Sequence, residues 1–206
     1  MVHEQVEARG ITDPELLRAL LAVPRHQFVD DDDAYGDRAL SIPAGQTISQ
    51  PYVVAAMTRA VQPDAGWRGA VVLEVGTGSG YQAAVLSEMG ARLTSIERHE
   101  ELAEHARERL GRAGYHDVRV VVGDGTRGWP EGAPYRAIIV TAAGPSVPQP
   151  LLRQLETDGG RLVMPVGARD HQVLTLIERH GSELVSHALD PVVFVPLIGE
   201  YGFPAR

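Results

Sequence analysis

The stretch from Val71 to Ala84, V-V-L-E-V-G-T-G-S-G-Y-Q-A-A, joins an apolar run, an acid and three alternate glycines. The apolar residues of 71–75 are typical of a strand that is buried on both faces of a parallel sheet. Gly76, Gly78 and Gly80 then remove every Cβ where a ligand would approach the backbone, and a helix is expected to follow. The pattern predicts a nucleotide-cofactor crevice at the carboxyl end of a parallel strand.

The spacing of these glycines is G-x-G-x-G, and Tyr81 stands where a dinucleotide fingerprint needs its third glycine. An acid is expected about 20 positions further on. Glu97 closes the next apolar run there, and its two carboxylate oxygens could accept both hydroxyls of a ribose. A glycine-rich surface turn is the alternative, but Glu74, Glu97 and a later Gly-Asp-Gly occur in register and favour a cofactor site. This arrangement resembles the class I S-adenosylmethionine-dependent methyltransferases.

Apolar strand patterns alternate with helical patterns from residue 70 onward, which predicts βαβ units and a parallel sheet. The expected strands are 70–75, 92–96, 118–122, 135–140, 161–165, 172–179, 184–189 and 192–197. The expected helices between them are 81–89, 100–111 and 148–155. Strands after Gly167 follow one another without helices, which indicates an antiparallel edge. Together with the methyltransferase resemblance, we predict an α/β, Rossmann-like fold with a mostly parallel seven-stranded sheet and helices on both faces.

Residues 1–66 are expected to form an N-terminal helical subdomain packed on a cofactor-binding core of residues 67–206, within one structural domain. Asp13 before Pro14 predicts a capped helix start. The expected buried stripe of that helix is Leu16, Leu17, Leu20 and Leu21. A second helix should begin at Pro51, with Ser49 or Gln50 as cap. Its expected buried stripe is Tyr52, Val53, Ala56, Met57 and Ala60.

Composition narrows the classes of function. The chain has 206 residues, a net charge of −8 and no Lys/Arg-rich stripe, so nucleic acid is not an expected partner. It has no cysteine and no apolar run near the roughly 20 residues that span a bilayer, so no membrane insertion is expected. The first ten residues lack the apolar core of a signal peptide, so the cytoplasm is the expected location. We expect a monomer.

Other candidate sites are few. Asp124 follows the third strand, where it could accept the exocyclic amine of an adenine, although an Asp-Gly turn is the plainer alternative. Thr141 closes the fourth strand among small residues, which leaves room beside the crevice. The eight histidines show no metal-ligand spacing, and the run from Asp30 to Asp33 is typical of a solvated loop, so no metal is expected. No G-x-S-x-G elbow occurs.

Seven segments in order along the chain resemble the protein-L-isoaspartate O-methyltransferase family. They are 22–25, 45–51, 72–84, 123–125, 137–143, 159–167 and 194–197. The resemblance implies that Ser49 is the active-site serine. It implies that these residues bind the cofactor S-adenosyl-L-methionine and its product S-adenosyl-L-homocysteine: Gln46, Thr47, Ser49, Glu74, Gly76, Thr77, Gly78, Ser79, Gly80, Glu97, Asp124, Gly125 and Thr141. It further implies that the substrate peptide binds to Ser49, Val195, Pro196, Leu197 and Ile198, the last four within a strand.

The activity implied by the resemblance is methylation of the free α-carboxylate of L-isoaspartyl residues in damaged proteins, followed by succinimide formation and repair. The partners would be peptides and proteins that contain isoaspartate. One alternative is a methyltransferase that acts on a small molecule or on ordinary aspartate. Others are a cofactor-binding module without catalysis and, against the spacing at Tyr81, a nicotinamide oxidoreductase.

Overall fold

A computed structural model describes residues 1–205. Its five α-helices are α1 (Pro14–Ala22), α2 (Pro51–Ala60), α3 (Tyr81–Glu88), α4 (Glu100–Arg112) and α5 (Gln149–Arg153). Its nine strands are β1 (Leu40–Ile42), β2 (Gln46–Ile48), β3 (Val71–Val75), β4 (Arg92–Glu97), β5 (Arg119–Val122), β6 (Ala137–Val140), β7 (Asp158–Ala168), β8 (His171–His180) and β9 (Glu183–Val192). A π-helical turn, Val2–Val6, and short 3₁₀ turns complete the elements.

Seven of the strands form one sheet in the order β5-β4-β3-β6-β7-β8-β9. The first five are parallel, while β8 and β9 are antiparallel additions at one edge. The chain runs outward from β3 through β4 to β5 and then returns to place β6 on the other side of β3. Ligands bind outside the carboxyl ends of strands at such a reversal. The mostly parallel seven-stranded sheet is therefore confirmed, and its reversal lies at the glycine-rich stretch.

Helices cover both faces of this sheet, because alternate strand residues enter two separate cores. Val72 of β3 packs with the N-terminal helices, α3 and α4, whereas the adjacent Leu73 packs with α5. In β6, Ile139 faces the first core and Ile138 the second. All four residues of β6 are buried, which explains why its sequence is uniformly apolar instead of alternating.

The N-terminal part begins with a π-helical turn and a 3₁₀ turn that end at Gly10, which adopts a left-handed conformation at φ +90°. The side chain of Asp13 then accepts a hydrogen bond from the backbone N–H of Leu16 at 2.8 Å, and Pro14 is the first residue of α1. Leu16 and Leu20 are buried, as predicted. The prediction for Leu21 was wrong, because its side chain is 72% exposed on the far side of α1.

Helix α2 begins at Pro51 as expected, but its buried stripe was assigned to the wrong face. The buried residues are Pro51, Val54, Ala55, Met57 and Thr58. Thr58 can be buried because its hydroxyl donates to the carbonyl of Val54 at 2.8 Å and accepts from Gln82 of α3 at 2.9 Å. Of the predicted stripe only Met57 is fully buried, and the rest is partly buried at the edge of the core. Gln50 occupies the N-cap position without a capping hydrogen bond from its side chain.

The expected strand 192–197 is absent from the described chain. Strand β9 ends at Val192, and the chain beyond it is extended with isolated bridges, one of which joins Pro196 to Ala143. Pro196 has no N–H to donate to a ladder, and its neighbour is a loop after β6 instead of a strand. This segment crosses the carboxyl edge of the sheet, where it can wall a site.

Candidate functional site

A crevice lies at the carboxyl ends of β3, β4 and β6, and eleven of the predicted site residues line it. They are Gln46, Thr47, Gly76, Gly78, Glu97, Gly125, Thr141, Val195, Pro196, Leu197 and Ile198. These residues come from six separate stretches of the chain, so the fold assembles the crevice from distant parts of the sequence. Six predicted residues lie outside its wall: Ser49, Glu74, Thr77, Ser79, Gly80 and Asp124.

The glycine loop turns sharply away from β3, and the part of the crevice wall formed by Gly76 and Gly78 has no side chains. Gly76 has φ +96°, and a Cβ there would collide with the hydroxyl of Thr141. That hydroxyl donates to the carbonyl of Gly76 at 2.7 Å and is also 3.1 Å from the carbonyl of Val75. Thr141, at the end of β6, therefore fixes the start of the loop. At its other end, Ser79 is buried and its hydroxyl accepts from the N–H of Tyr81 at 3.3 Å, while Gly80 is the N-cap of α3.

Glu97 ends β4 and faces the same loop. One carboxylate oxygen accepts from the N–H of Gly78 and the other from the N–H of His99, each at 3.0 Å. The side chain is buried yet lines the crevice. Each carboxylate oxygen has a second lone pair for a ligand hydroxyl. The acid thus sits where two adjacent hydroxyls of a ribose can be accepted.

Glu74 lies beneath the glycine loop and is fully buried. The hydroxyl of Ser95 donates to one of its carboxylate oxygens and lies 2.6 Å from the hydroxyl of Thr77, so a chain of side chains links Glu74 to the loop. Burial raises the pKa of Glu74 to about 8, the hydrogen bond from Ser95 lowers it, and the charge of Glu97 raises it further. Glu74 and Thr77 therefore support the loop from behind.

Asp124 follows β5 and holds the end of the chain. One carboxylate oxygen accepts from the N–H and the hydroxyl of Thr126, at 2.9 and 2.6 Å, and the other accepts from the N–H of Glu200 at 2.9 Å. Partial burial raises the pKa of Asp124, but these hydrogen bonds and the charge of Arg127 outweigh it and hold the pKa below its ordinary value. Asp124 lines an adjacent cavity that shares Ile96 with the crevice.

The segment from Phe194 to Phe203, which we call the C-terminal strap, forms the outer wall of the crevice. Ala143 donates to the carbonyl of Val195 at 2.8 Å and accepts from the N–H of Leu197 at 2.7 Å. The strap is thereby tied to the loop after β6 at one point and to Asp124 at another. Because part of its backbone is already paired, a peptide would meet the backbone groups that face away from Ala143.

Ser49 lies in a second cavity of about 380 Å³, beside the crevice. Its walls come from the start of α2, the start of β8 and the chain at and beyond the end of β9, and they include Val53, His171 and Phe194. Thr47 lines both the crevice and this cavity. A group bound in the crevice at Thr47 can therefore meet a group bound at Ser49.

Five crevice residues were missed from the sequence: Val75, Ile96, Arg98, His99 and Ala142. Each lies within two positions of a predicted residue at a strand end, so strand-end position was the signal that could have identified them. Ser95, which bonds Glu74, was also missed. Its partner on the parallel strand β3 is Glu74 itself, a register that the sequence does not give.

Within residues 1–205, no cluster of three or more His, Cys, Asp or Glu side chains has the arrangement of a metal site. None of the helices described is both long and apolar enough to span a bilayer.

Comparisons with known proteins agree with this geometry. The family model described as "Protein-L-isoaspartate(D-aspartate) O-methyltransferase" matches residues 1–202. A protein-L-isoaspartate O-methyltransferase of Methanoculleus marisnigri is 51% identical, over 98% of this chain and 92% of the relative. A second, of Pelobacter propionicus, is 53% identical, over 98% and 91%.

Solved structures agree as well. A structure titled as a protein-L-isoaspartate O-methyltransferase superposes with a TM-score of 0.87 at 29% identity, covering 98% of this chain and 67% of that one. A Plasmodium falciparum structure, described as a putative enzyme of this kind in complex with S-adenosyl-L-homocysteine, has a TM-score of 0.82 at 23% identity, covering 96% of each chain. The second likeness is one of fold.

Proposed function

The chain belongs to the protein-L-isoaspartate(D-aspartate) O-methyltransferase family, and on that premise we propose that it methylates the free α-carboxylate of L-isoaspartyl residues in peptides and proteins. The observation that carries the proposal is the shared wall at Thr47, which lines both the glycine-loop crevice and the cavity of Ser49. The methyl ester then closes to a succinimide, which begins repair of the damaged residue.

The crevice suits S-adenosyl-L-methionine. The wall at Gly76 and Gly78 carries no Cβ, and the buried carboxylate of Glu97 is already oriented by two N–H groups with lone pairs to spare. Ile96 and Gly125 offer an apolar, open end for an adenine, while Gln46 and Thr47 lie at the end nearest Ser49. We propose these residues as the cofactor site, with Glu74, Thr77 and Ser79 as its support and Asp124 at its adenine end.

The reaction needs little acid–base chemistry. The α-carboxylate of the substrate is an anion at neutral pH, so no general base has to remove a proton. When bound, S-adenosyl-L-methionine supplies an electrophilic methyl group on a sulfonium sulfur. The protein has to hold the carboxylate oxygen in line with that group, and such positioning can remove roughly 7 to 11 kcal/mol from a barrier at best.

Ser49 is proposed to orient the carboxylate by donating a hydrogen bond. It is half-buried in a cavity whose other walls are mainly apolar, among them Val53, Val192 and Phe194. A substrate that fills this cavity displaces water from it, which strengthens the attraction between the carboxylate anion and a cationic centre. The strap supplies part of this wall through Phe194 and part of the crevice wall through Val195.

The proposal is tested by transfer of labelled methyl from S-adenosyl-L-methionine to two synthetic peptides that differ only in carrying isoaspartate or aspartate. We expect labelling of the isoaspartyl peptide alone, as methyl ester that decays to succinimide. Labelling of both peptides would favour a methyltransferase that also acts on ordinary aspartate. Labelling of neither, with the cofactor still bound, would favour a binding module without catalysis.

The role of Ser49 has its own test. Ser49→Ala should lower kcat by roughly 10- to 100-fold, because a hydrogen bond to a charged group contributes about 1.5 to 3 kcal/mol. Calorimetric affinity for S-adenosyl-L-homocysteine should stay within about twofold, since Ser49 lies outside the crevice wall. Ser186→Ala, on the exposed strand β9, is the matched control and should leave both values at those of the parent. Full activity in Ser49→Ala would remove the serine from the mechanism.

We also propose that residues 1–66 form a subdomain that packs on the core 67–206 within one structural domain. We further propose that the protein is a monomer, that it is located in the cytoplasm and that it has no nucleic-acid partner. The net charge of −8 supports the last point, because a negatively charged chain is repelled by a phosphate backbone. Size-exclusion chromatography with light scattering tests the oligomeric state.

A further inference from the structure

Another cavity, of about 220 Å³, lies beside the cavity of Ser49 and further along α2. Its walls include Ala56 of α2, Leu174 of β8 and Leu189 of β9. The cavity of Ser49 is bounded by the same elements, with Val53 on α2 and Pro191 on β9. The two cavities therefore lie in succession between α2 and the β8–β9 hairpin.

The two cavities share no lining residue, but their walls adjoin on both elements. Tyr52 lines the far cavity and Val53 the near one, and they are neighbours on α2. Asp190 lines the far cavity and Pro191 the near one, and they are neighbours on β9. We call the combined depression, from Ser49 to Arg59 on the helix side, the α2 groove.

The α2 groove explains the apolar stripe that the sequence assigned to the core. Tyr52, Val53, Ala56 and Ala60 are partly buried: they pack at the edge of the core and also line the groove. Val193, at the mouth of the near cavity, is 75% exposed. An apolar strip that is open to solvent and ends at a reactive site is typical of a binding surface.

A β-bulge shapes the opposite wall. In the β8–β9 ladder, Thr175 pairs with Ala188 and Val173 with Pro191, so Leu189 and Asp190 together oppose the single residue Leu174. Bulges next to active sites re-aim side chains and interrupt pairing. Here the two bulged residues and Leu174 line the far cavity together.

We infer that the α2 groove holds the segment of the substrate that flanks the isoaspartyl residue, in extended form and with apolar side chains. The inference rests on the proposed function, since the groove starts at Ser49 and at Thr47, which also lines the crevice. The eight helical steps from Pro51 to Arg59 span about 12 Å, which is the length of about four extended residues. The walls are mostly apolar, and Arg59 and Asp190 are the charged residues of the far cavity.

The test compares a short isoaspartyl peptide with peptides extended by about four apolar residues on one side or the other. With the parent protein, extension on one side should lower KM by about tenfold. Leu189→Glu should abolish that gain, so that the KM ratio of the short to the extended peptide falls from about ten to about one. Ala56→Gln, on the helix wall, should reduce the same ratio and provides a second variant if the first folds poorly.

Leu184→Glu is the matched control, because Leu184 is 44% exposed and Leu189 is 39% exposed on the same strand, yet only Leu189 lines the groove. Leu184→Glu should have the same KM ratio of the short to the extended peptide as the parent. No gain on extension at either end, or a gain that Leu189→Glu retains, would overturn the inference. So would a change of oligomeric state in Leu189→Glu, which would mean that a second copy of the chain covers the groove. Failure of the proposed function is a different result, in which the parent does not methylate even the short isoaspartyl peptide.

Discussion

At the scale of single residues, Glu74 is the member of the glycine-rich motif whose burial lowers the stability of the fold as pH rises. It is fully buried, and one of its carboxylate oxygens has no hydrogen-bond partner within the described residues. Burial raises its pKa to about 8 from an ordinary value of 4.5. Between these two pH values the unfolded chain loses the Glu74 proton while the folded protein keeps it. The contribution of protonated Glu74 to the free energy of unfolding is therefore fully present below about pH 4.5. It is lost as pH rises through 8.

We predict that Glu74→Gln is more stable than the parent at pH 8 and equally stable near pH 5. The difference should grow by at most about 5 kcal/mol across that window. Urea unfolding followed by circular dichroism at several pH values measures it. Glu183→Gln, at an exposed position of β9, should follow the parent at every pH. A constant difference between parent and Glu74→Gln would show that Glu74 does not hold its proton in the fold.

The sequence identified the residues of this motif better than their roles. The alternate glycines after an apolar strand predicted the loop, and the spacing to Glu97 predicted the acid that faces it. Both predictions depend on local spacing alone. That Glu74 faces Ser95 under the loop depends on the register between β3 and β4, which no local pattern encodes. Roles that arise from contacts between distant segments therefore required the structure.

At the scale of elements, the C-terminal strap links the two halves of the site. Its Gly199 lies so close to the carboxylate of Asp124 that a Cβ there would overlap it and the methyl group of Thr126. The next residue, Glu200, donates its N–H to Asp124 at 2.9 Å and forms an ion pair with Arg127. The strap can thus close on the β5 loop only if position 199 lacks a side chain.

We predict that Gly199→Ala lifts the strap from Asp124 and weakens binding of S-adenosyl-L-homocysteine by about tenfold. Isothermal titration calorimetry measures the affinity, and thermal unfolding confirms that the variant is folded. Gly111→Ala is the control, because Gly111 is in the last turn of α4 with nothing closer to an added Cβ than 3.9 Å. It should bind like the parent and gain helix stability. Unchanged affinity in Gly199→Ala would separate the strap from the cofactor site.

Elements with strong local signals were predicted well, and those defined by partners were not. Strands β3 and β6 are uniformly apolar, and α1 has a proline and a capping acid, so sequence patterns sufficed. The face of α2 was misassigned because Thr58 is buried through hydrogen bonds, while apolar Val53 borders a groove. The strap was mistaken for a strand because its apolar residues wall a crevice instead of joining a ladder.

At the scale of the whole molecule, the N-terminal residues and the sheet share one hydrophobic core. Leu16, Phe28 and Met57 belong to the same buried cluster as Val72 and Val163. The N-terminal residues also cover the start of α3. The ring of Phe28 meets that of Tyr81 edge-on at 5.7 Å. The buried guanidinium of Arg25 lies 5.0 Å from the same ring, and its Nε donates to the carbonyl of Ala34 at 2.9 Å.

This shared core predicts that residues 67–206 do not fold alone. Removal of 1–66 would expose the apolar face of the sheet at Val72 and the ring of Tyr81, and it would delete Gln46 and Thr47 from the crevice wall. Burial of such apolar surface is the main favourable term in folding, at about 25 cal/mol per Å². We expect the fragment to show no cooperative urea transition and no binding of S-adenosyl-L-homocysteine, while the full chain shows both. A fragment that unfolds cooperatively and gains stability from the ligand would instead be an independent domain, and residues 1–66 would then serve the peptide side of the site alone.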